Sequence, residues 1–361
     1  MSESLQGFLV SGQVSLREAM AMIDRNNKGI VLVVDPEQRL QATITDGDVR
    51  RAILAGISLD SPVQILTERR SEAPITAPAG TLGAELLRRM QERSVRQLPL
   101  VDAAGRVVEL VTLDELLPTE RLPLEAVIMA GGAGTRLRPL TQDTPKPMLP
   151  IGGRPMLERL IEQLRGAGIH RVNISTHYKR EVIENHFGDG TGFGVAVTYV
   201  KETEPLGTAG ALSLMQAPTE PLLVVNGDLL TRVDFRAMMH FHREHKADLT
   251  VAVRQYDVHV PFGVVETNAE SVTKLVEKPV LNFFVNAGIY LLEPHIHQFI
   301  PNGQRYDMTE LIQRLLAQQR RVVSFPVLEY WLDVGQHADY ARAQTAVEEA
   351  QTRPLNAGHK L

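Results

Sequence analysis

One stretch constrains this chain more than any other: Ala126–Glu158, AVIMAGGAGTRLRPLTQDTPKPMLPIGGRPMLE. It is entered through a short apolar run, Leu124 to Met129, which reads as a buried strand. The run breaks into Ala130, Gly131, Gly132, Ala133 and Gly134. A glycine-rich loop after a buried strand lets backbone approach a ligand and turns several N–H groups toward it. Thr135, Arg136 and Arg138 follow, and Lys146 stands between Pro145 and Pro147, which stiffen the backbone around it. Fixed positive charge beside a nest of N–H groups is what a triphosphate needs. The stretch is not a Walker loop, because Gly134 is followed by Thr-Arg. Nor is it a dinucleotide fingerprint, because Leu137 stands where Gly or Ala would be required.

The rest of the chain divides at about residue 120. Residues 1–120 read as two similar halves. The first is a helix Ser15–Asn26, a strand Ile30–Val34, a turn at Asp35-Pro36, a strand Leu40–Thr45 and a helix Asp46–Leu54. The second repeats this order: helix Thr81–Glu92, strand Gln97–Val101, turn Asp102–Gly105, strand Val107–Thr112 and helix Leu113–Leu117. Such a repeat is expected to bury the open face of each half on the other. Thr119–Pro123 reads as a linker, and residues 121–361 form the second domain. There strands and helices alternate: helices Arg154–Gly166, Lys179–Phe187, Thr208–Gln216, Asp234–Lys246, Asp307–Gln318 and Gln336–Ala350, with strands at Arg171–Thr176, Val195–Val200, Leu222–Val225 and Leu249–Val253. Shorter strands are expected at Gly263–Glu266, Val272–Glu277 and Ala287–Leu292, and a polar tail from Gln351. The expected fold class is α/β: a Rossmann-like mixed, mostly parallel sheet with helices on both faces, plus a smaller α+β N-terminal module.

Composition removes several function classes. A net charge of −5 gives no basic surface for nucleic acid. With no cysteine, disulfides, thiolate metal sites and cysteine nucleophiles are excluded. No apolar run is long enough to span a bilayer, and MSESLQGFLVSG lacks the basic and apolar regions of a signal peptide, so a cytoplasmic protein with no membrane partner is expected.

Several residues could carry chemistry. The run LLVVNGD places Asp228 at the end of a buried strand, and YWLDVGQ offers Asp333 far downstream. KETEPLGTAG holds Glu202 five residues before Gly207, with Thr208 and Ala209 opening a helix. Guanine offers two donors, N1–H and its amino group, and a carboxylate accepts from both; thymine and uracil suit an amide better. Whether Glu202 or Glu204 faces the base stays open. Gly263, Glu277-Lys278, Asn286 and Gly288 form a third group; a carboxylate can bind sugar hydroxyls and a lysine a phosphate. His240, His242 and His245 lack the i, i+4 spacing of a zinc helix.

Gly131 to Thr141, Pro145 to Pro147 and Pro150 to Pro155 resemble the signature of the sugar-nucleotide pyrophosphorylases, which join a sugar 1-phosphate to a nucleoside triphosphate. The resemblance implies that Asp228 and Asp333 hold one Mg²⁺. It implies that Ala130 through Arg136, Lys146 and Gly207 to Ala209 line the nucleotide. It gives Gly263, Glu277, Asn286 and Gly288 to the sugar and Lys278 to its phosphate. Arg136, Lys146 and Asp228 are the expected catalytic set. Glu-x-x-Pro-Leu-Gly-Thr-Ala-Gly and WLDVGQHADY further resemble the mannose-1-phosphate guanylyltransferases, so GTP is the expected nucleotide. A uridylyl-, thymidylyl- or cytidylyltransferase is the alternative, and a non-catalytic nucleotide sensor the rival from another class.

The N-terminal repeat resembles a tandem pair of CBS domains over Val10–Leu117. Thr45-Asp46-Gly47-Asp48 matches the ribose-reading turn of that family, with Arg50 and Arg51 close by for phosphate. The aligned turn in the second half carries Glu115 and no following arginines. An adenine or guanine nucleotide centred on Asp48 is therefore one reading, a packing and dimerisation module with no ligand is the other, and a homo-oligomer is expected with either.

Overall fold

The computed structural model describes residues 5–26, 28–68, 73–116 and 121–352. The first residues of the expected linker, 119–120, and most of the expected tail, 353–361, lie outside the described residues. The chain forms two compact units, Met1–Arg121 and Leu122–Leu361.

The first unit is built twice from one plan. Leu9–Val10 pairs in parallel with Ile30–Val34, which pairs antiparallel with Leu40–Thr45. Ala77–Pro78, Gln97–Val101 and Val107–Thr112 repeat that order. The repeat extends to side chains 67 positions apart. Asp35 accepts from the backbone N–H and Nε of Arg39 at 2.8 Å each, and Asp102 accepts from Arg106 in the same way at 2.9 and 2.8 Å. Each ties a two-strand turn through a side chain fixed on its own backbone. The halves share apolar surface: Val107 of the second packs with Ile30 and Leu32 of the first. Helix Leu16–Asn26 puts Leu16, Ala19 and Ile23 inward at helical spacing, and Gly83–Glu92 does so with Leu86 and Met90.

The second unit is organised on a seven-stranded sheet. Its order is Ala196–Lys201, Arg171–Thr176, Glu125–Met129, Leu222–Asn226, Val280–Leu292, Leu249–His259 and Val322–Pro326. Only Val280–Leu292 runs against the others. Side-chain alternation along the central strands shows both faces covered. Ala126, Ile128, Leu223 and Val225 join one core, with Leu157, Leu160 and Phe235 from the helices Met156–Gly166 and Phe235–Glu244. Val127, Leu222 and Val224 join the other, with Met308, Leu311 and Leu315 of helix Met308–Ala317. Each fully buried aliphatic side chain contributes about 1.5–3 kcal/mol, so the two cores hold the central strands rigidly. Asp234 caps its helix by accepting from the N–H groups of Arg236 and Ala237.

Some elements differ from expectation. The helix expected from Arg154 starts at Met156, because Arg154–Pro155 forms a short ladder with Pro150–Ile151 and Pro155 is extended. The helix expected over Thr208–Gln216 is one turn, Gly207–Gly210, followed by a 3-10 turn, Ala211–Leu214. Strands Leu229–Thr231, Val322–Pro326 and Trp331–Asp333 add to the expected set. Leu249–His259 and Val280–Leu292 run far beyond the expected limits and pair with each other outside the sheet body.

Candidate active site

The glycine loop leaves the sheet at the carboxyl end of Glu125–Met129, the third of its seven strands. Ala130 is buried and donates its N–H to the Ser175 carbonyl at 3.0 Å. Gly131 lies against Glu202; a Cβ there would meet its Oε1 at 2.7 Å. Gly134 has φ +60°, and a Cβ would meet the Lys146 Cβ at 2.9 Å and Thr141 Cγ2 at 3.0 Å. Thr141 also donates its hydroxyl to the Gly134 carbonyl at 2.8 Å. Leu137, fully buried, pins the far end. Between these anchors a Cβ on Gly132 would meet nothing within 4 Å. Thr135 and Arg136 are exposed beyond it. The loop is thus tight on its protein side and open on the other.

Lys146 is drawn into this floor. Its 3-10 turn, Lys146–Met148, is buried, and the lysine is 7% exposed. Its Nζ lies 2.5 Å from Asp228 Oδ2 and 3.9 Å from Asp333 Oδ1. The backbone brings the two carboxylates together. Asp228 precedes Leu229–Thr231, which pairs antiparallel with Trp331–Asp333, with Leu229 opposite Asp333. Val334 N–H closes the join on the Asp228 carbonyl at 3.2 Å. Burial holds the Asp333 carboxyl above the usual carboxylate range; Asp228 adds to the rise, and Lys146 and Arg136 oppose it. Arg136 belongs to the same group, since a Cβ on Gly335 would have Arg136 Nη1 at 3.7 Å and Asp333 Oδ1 at 3.8 Å. Four residues distant in sequence, Arg136, Lys146, Asp228 and Asp333, therefore meet beside the loop.

The donors there fit Mg²⁺. Two carboxylates close enough to repel one another offer only oxygen. Among the described residues no group of three His, Cys, Asp or Glu could hold a metal, so phosphate and water oxygens would complete the shell. Mg²⁺ is usually bound in this way, through one or two carboxylates, substrate phosphates and water.

Glu202 is placed differently from a residue that only faces a base. It is buried; Oε2 accepts from Leu206 N–H at 2.9 Å and Oε1 from the Ser175 hydroxyl. It braces the loop that follows it, whereas Glu204 is exposed. Gly207, at φ +79°, lies on Asp307: a Cβ would stand 2.5 Å from its Oδ1 and 2.9 Å from the Tyr306 carbonyl. Asp307 accepts from Thr208 N–H at 3.0 Å, and the Thr208 hydroxyl accepts from Met308 N–H at 2.8 Å. We predict that Gly207→Ala lowers stability by about 1–3 kcal/mol, through left-handed strain and the blocked contact. A denaturant midpoint equal to that of the unaltered chain would refute this.

The remaining candidates fall into two separate pairs, with Lys278 beside the first in sequence. Gly263 lies against Glu277, whose Oε2 would be 2.9 Å from an added Cβ. Lys278 is exposed and has φ +46°. Asn286 accepts from Gly288 N–H at 2.9 Å. Gly288, at φ +70°, gives room to Asn226, whose Nδ2 would be 2.6 Å from a Cβ. Asn226 and Asp307 are the neighbours sequence reasoning missed. LLVVNGD displayed Asn226, but Asp307 showed only as a helix cap, and its clamp on Thr208 spans 99 positions.

In the first unit Asp48 is committed locally. Its Oδ2 accepts from Thr45 N–H at 2.8 Å, and Arg51 Nη2 lies 2.9 Å from Oδ1. Arg50 is buried, 3.4 Å from Asp46 Oδ2. Glu115, read as a departure from the turn, plays the same capping part: it accepts from Thr112 N–H at 2.8 Å and pairs with Lys28. A cavity of about 330 Å³ opens in the second half, lined by Gly80, Thr81, Leu86, Glu109 and Glu115 among others.

Comparison with known proteins bears on the family and the fold. The nucleotidyl transferase family model matches residues 125–350, and the CBS domain model matches residues 69–119. The mannose-1-phosphate guanylyltransferase of Mycobacterium tuberculosis is 35% identical over 246 residues, covering 66% of this chain and 68% of that protein. Mannose-1-phosphate guanylyltransferase 1 of Arabidopsis thaliana is 35% identical over 227 residues, covering 60% and 63%. The chain thus spans about two thirds of the length of these relatives. A solved structure from Bacillus anthracis, described as a putative glucose-1-phosphate thymidylyltransferase in complex with sucrose, is 26% identical with a TM-score of 0.51, covering 65% of this chain and 98% of that one. The glycine loop, the buried lysine and the paired aspartates lie within the matched span, and the chain belongs to the nucleotidyl transferase family.

Proposed function

We propose that this chain transfers a nucleoside monophosphate, GMP from GTP by preference, to a sugar 1-phosphate, releasing pyrophosphate. The observation that carries the reading is Lys146, buried under the glycine loop between Asp228 and Asp333. A phosphate oxygen of the sugar attacks the α-phosphorus in line; that P–O bond forms as the bond to the β-phosphate bridging oxygen breaks, and the electron pair leaves with pyrophosphate. No covalent intermediate on the protein is needed, so positioning and electrostatics supply the rate. The loop N–H groups at Gly131, Gly132 and Gly134, with Thr135 and Arg136, bind the β- and γ-phosphates. Lys146 meets charge developing at the α-phosphate. Gly207, Thr208 and Ala209 support the base and ribose. Lys278 orients the attacking phosphate, while Gly263, Glu277, Asn286 and Gly288 line the sugar. Mg²⁺, held by Asp228 and Asp333, would supply charge neutralisation at the reacting phosphates.

The preference for GTP is supported by the similarity to guanylyltransferases and by a carboxylate, Glu202, with lone pairs beyond the two it uses. Glu202→Gln separates its two parts. A misplaced amide donor costs about 1–3 kcal/mol, or about tenfold to a hundredfold. A reader of guanine loses GTP turnover relative to UTP and dTTP. A pure brace loses all nucleotides together, and that outcome removes Glu202 from base selection.

The whole reading is tested by a panel of four nucleoside triphosphates against several sugar 1-phosphates, followed as pyrophosphate release and by product mass. GTP with one sugar phosphate is the expected productive pair. Nucleotide binding without pyrophosphate from any pair would leave a sensor instead. The CBS pair is proposed to take an adenine or guanine nucleotide and bias the transferase. Calorimetry of the full chain with Asp48→Ala tests the first-half site, and unchanged binding would move the site to the second-half cavity.

A further inference from the structure

Asn226 ends the strand Leu222–Asn226, two residues before Asp228, and is half-buried. Its Oδ1 is buried and accepts from nothing among the described residues. A buried acceptor without a donor carries its full desolvation cost, so folded chains seldom keep one to no purpose. Asn173, two strands away, shows the ordinary arrangement: it is buried, and its Nδ2 donates to Glu125 Oε1 at 2.7 Å. Arg171 and Glu184 also leave one buried atom unpaired, but Glu220 and Lys201 hold them through another. The unpaired hydroxyl of Thr176 belongs to a side chain closed off from solvent. Asn226 keeps part of its surface open.

The chain around Asn226 is shaped to admit its amide. Gly288 lies on the neighbouring strand Val280–Leu292, and a Cβ there would stand 2.6 Å from Asn226 Nδ2 and 3.0 Å from its Cγ. Asn286 Oδ1 accepts from Gly288 N–H at 2.9 Å, and Trp331 Nε1 donates to the Ala287 carbonyl at 2.8 Å. Residues 286–288 are thus tied down, while the amide lying on them keeps an unused oxygen.

That oxygen selects its ligand. A carbonyl oxygen only accepts, so it cannot serve a phosphate oxygen, which also only accepts. A hydroxyl both donates and accepts, and so satisfies the amide whichever way it is turned. The glycine loop leaves Glu125–Met129, on one side of the Asn226 strand, and Gly288 lies on the strand at its other side. We propose that Asn226 is a specificity-determining residue whose Oδ1 accepts a hydrogen bond from a ring hydroxyl of the acceptor sugar 1-phosphate. That the hydroxyl is the sugar's rests on the function proposed above; that the oxygen takes a hydroxyl does not.

Asn226→Leu keeps the shape and removes the acceptor. The chain has one tryptophan, Trp331, hydrogen-bonded beside Gly288, so its fluorescence reports binding without turnover. The full chain is titrated with glucose, mannose and galactose 1-phosphates, with inorganic phosphate and with GTP. For the tightest sugar phosphate, Asn226→Leu is expected to raise Kd at least about tenfold and to leave inorganic phosphate and GTP within about twofold. One monodeoxy form of that sugar phosphate is expected to bind the original chain at least about tenfold more weakly than its parent, and to bind Asn226→Leu as the parent does. The melting temperature should not fall, because the oxygen loses no protein partner. Asn226→Ala, which adds no apolar bulk, is read in the same way. Unchanged sugar phosphate affinity in both variants would leave water as the partner of the amide and overturn the proposal. A loss shared by GTP or by inorganic phosphate would assign the amide to the ribose or to phosphate, and that also overturns it. An original chain that binds none of the three sugar phosphates fails the proposed function and this assignment with it, whereas the other adverse outcomes fail this assignment alone.

Discussion

Lys146→Met is expected to lower turnover at least about 10²–10³-fold, the loss typical of removing one preorganised charge stabiliser. Methionine keeps most of the volume, so the buried 3-10 turn at Lys146–Met148 should persist. What disappears is the positive charge 2.5 Å from Asp228 and 3.9 Å from Asp333. In the reaction proposed above the same charge faces the α-phosphate. Both losses act on the transition state, so kcat should fall far more than KM for either substrate rises. The stability cost should be small beside the kinetic one, because Asp228 and Asp333 side chains are 29% and 50% exposed and water can screen them. Lys146→Arg keeps the charge but places a planar fork on a longer stem in a tightly packed position, and should rescue only part of the rate. Product formation followed beside a thermal melt distinguishes these effects. A Lys146→Met variant working within tenfold of the original would remove Lys146 from the chemistry.

The parts of this architecture that were legible in the sequence have local causes. Leu124–Met129 reads as a strand because buried central strands are near-continuous apolar runs, broken here only by Glu125, and the glycines after it are needed where a Cβ would strike Lys146, Thr141 or Glu202. The CBS-like repeat was legible because turns and caps recur side chain for side chain, as at Asp35 and Asp102. The long ribbon of Leu249–His259 and Val280–Leu292 was not. Its apolar alternation is brief, Tyr256 and Val258 between Gln255, Asp257 and His259, and Val280–Phe284 carries apolar residues on both faces, since neither ribbon face packs on a core cluster among the described residues. Glu202 shows the other limit. Its position in KETEPLGTAG displayed a carboxylate near a nucleotide loop, but not that Leu206 N–H and the Ser175 hydroxyl, 27 positions upstream, would occupy its oxygens. Trp331–Asp333 is too short to show a period; only its pairing with Leu229–Thr231 makes it a strand, and only that pairing carries Asp333 to Asp228.

That pairing governs the second large effect expected. Asp333→Asn should raise the Mg²⁺ concentration for half-maximal rate by at least about 10–100-fold, since loss of even an outer-shell partner of a metal commonly costs that much affinity. Stability should not fall with it. Burial and the neighbouring Asp228 charge hold the Asp333 carboxyl above its ordinary range, so its ionised form is disfavoured in the folded chain. A neutral amide of the same shape removes that penalty together with the repulsion toward Asp228. Activity and melting temperature are therefore expected to move apart: a slower enzyme, partly restored by raised Mg²⁺, that melts no lower than the original. Asp228→Asn should differ, because it also leaves the buried Lys146 without its 2.5 Å partner. It should both slow the enzyme and lower the melt. Mn²⁺ binding measured by electron paramagnetic resonance, with nucleotide present, reads the site without relying on turnover. Asp333→Asn should weaken Mn²⁺ binding in that titration. Unchanged Mn²⁺ affinity and unchanged Mg²⁺ dependence would take Asp333 out of the metal site and leave it as a charged neighbour of Asp228.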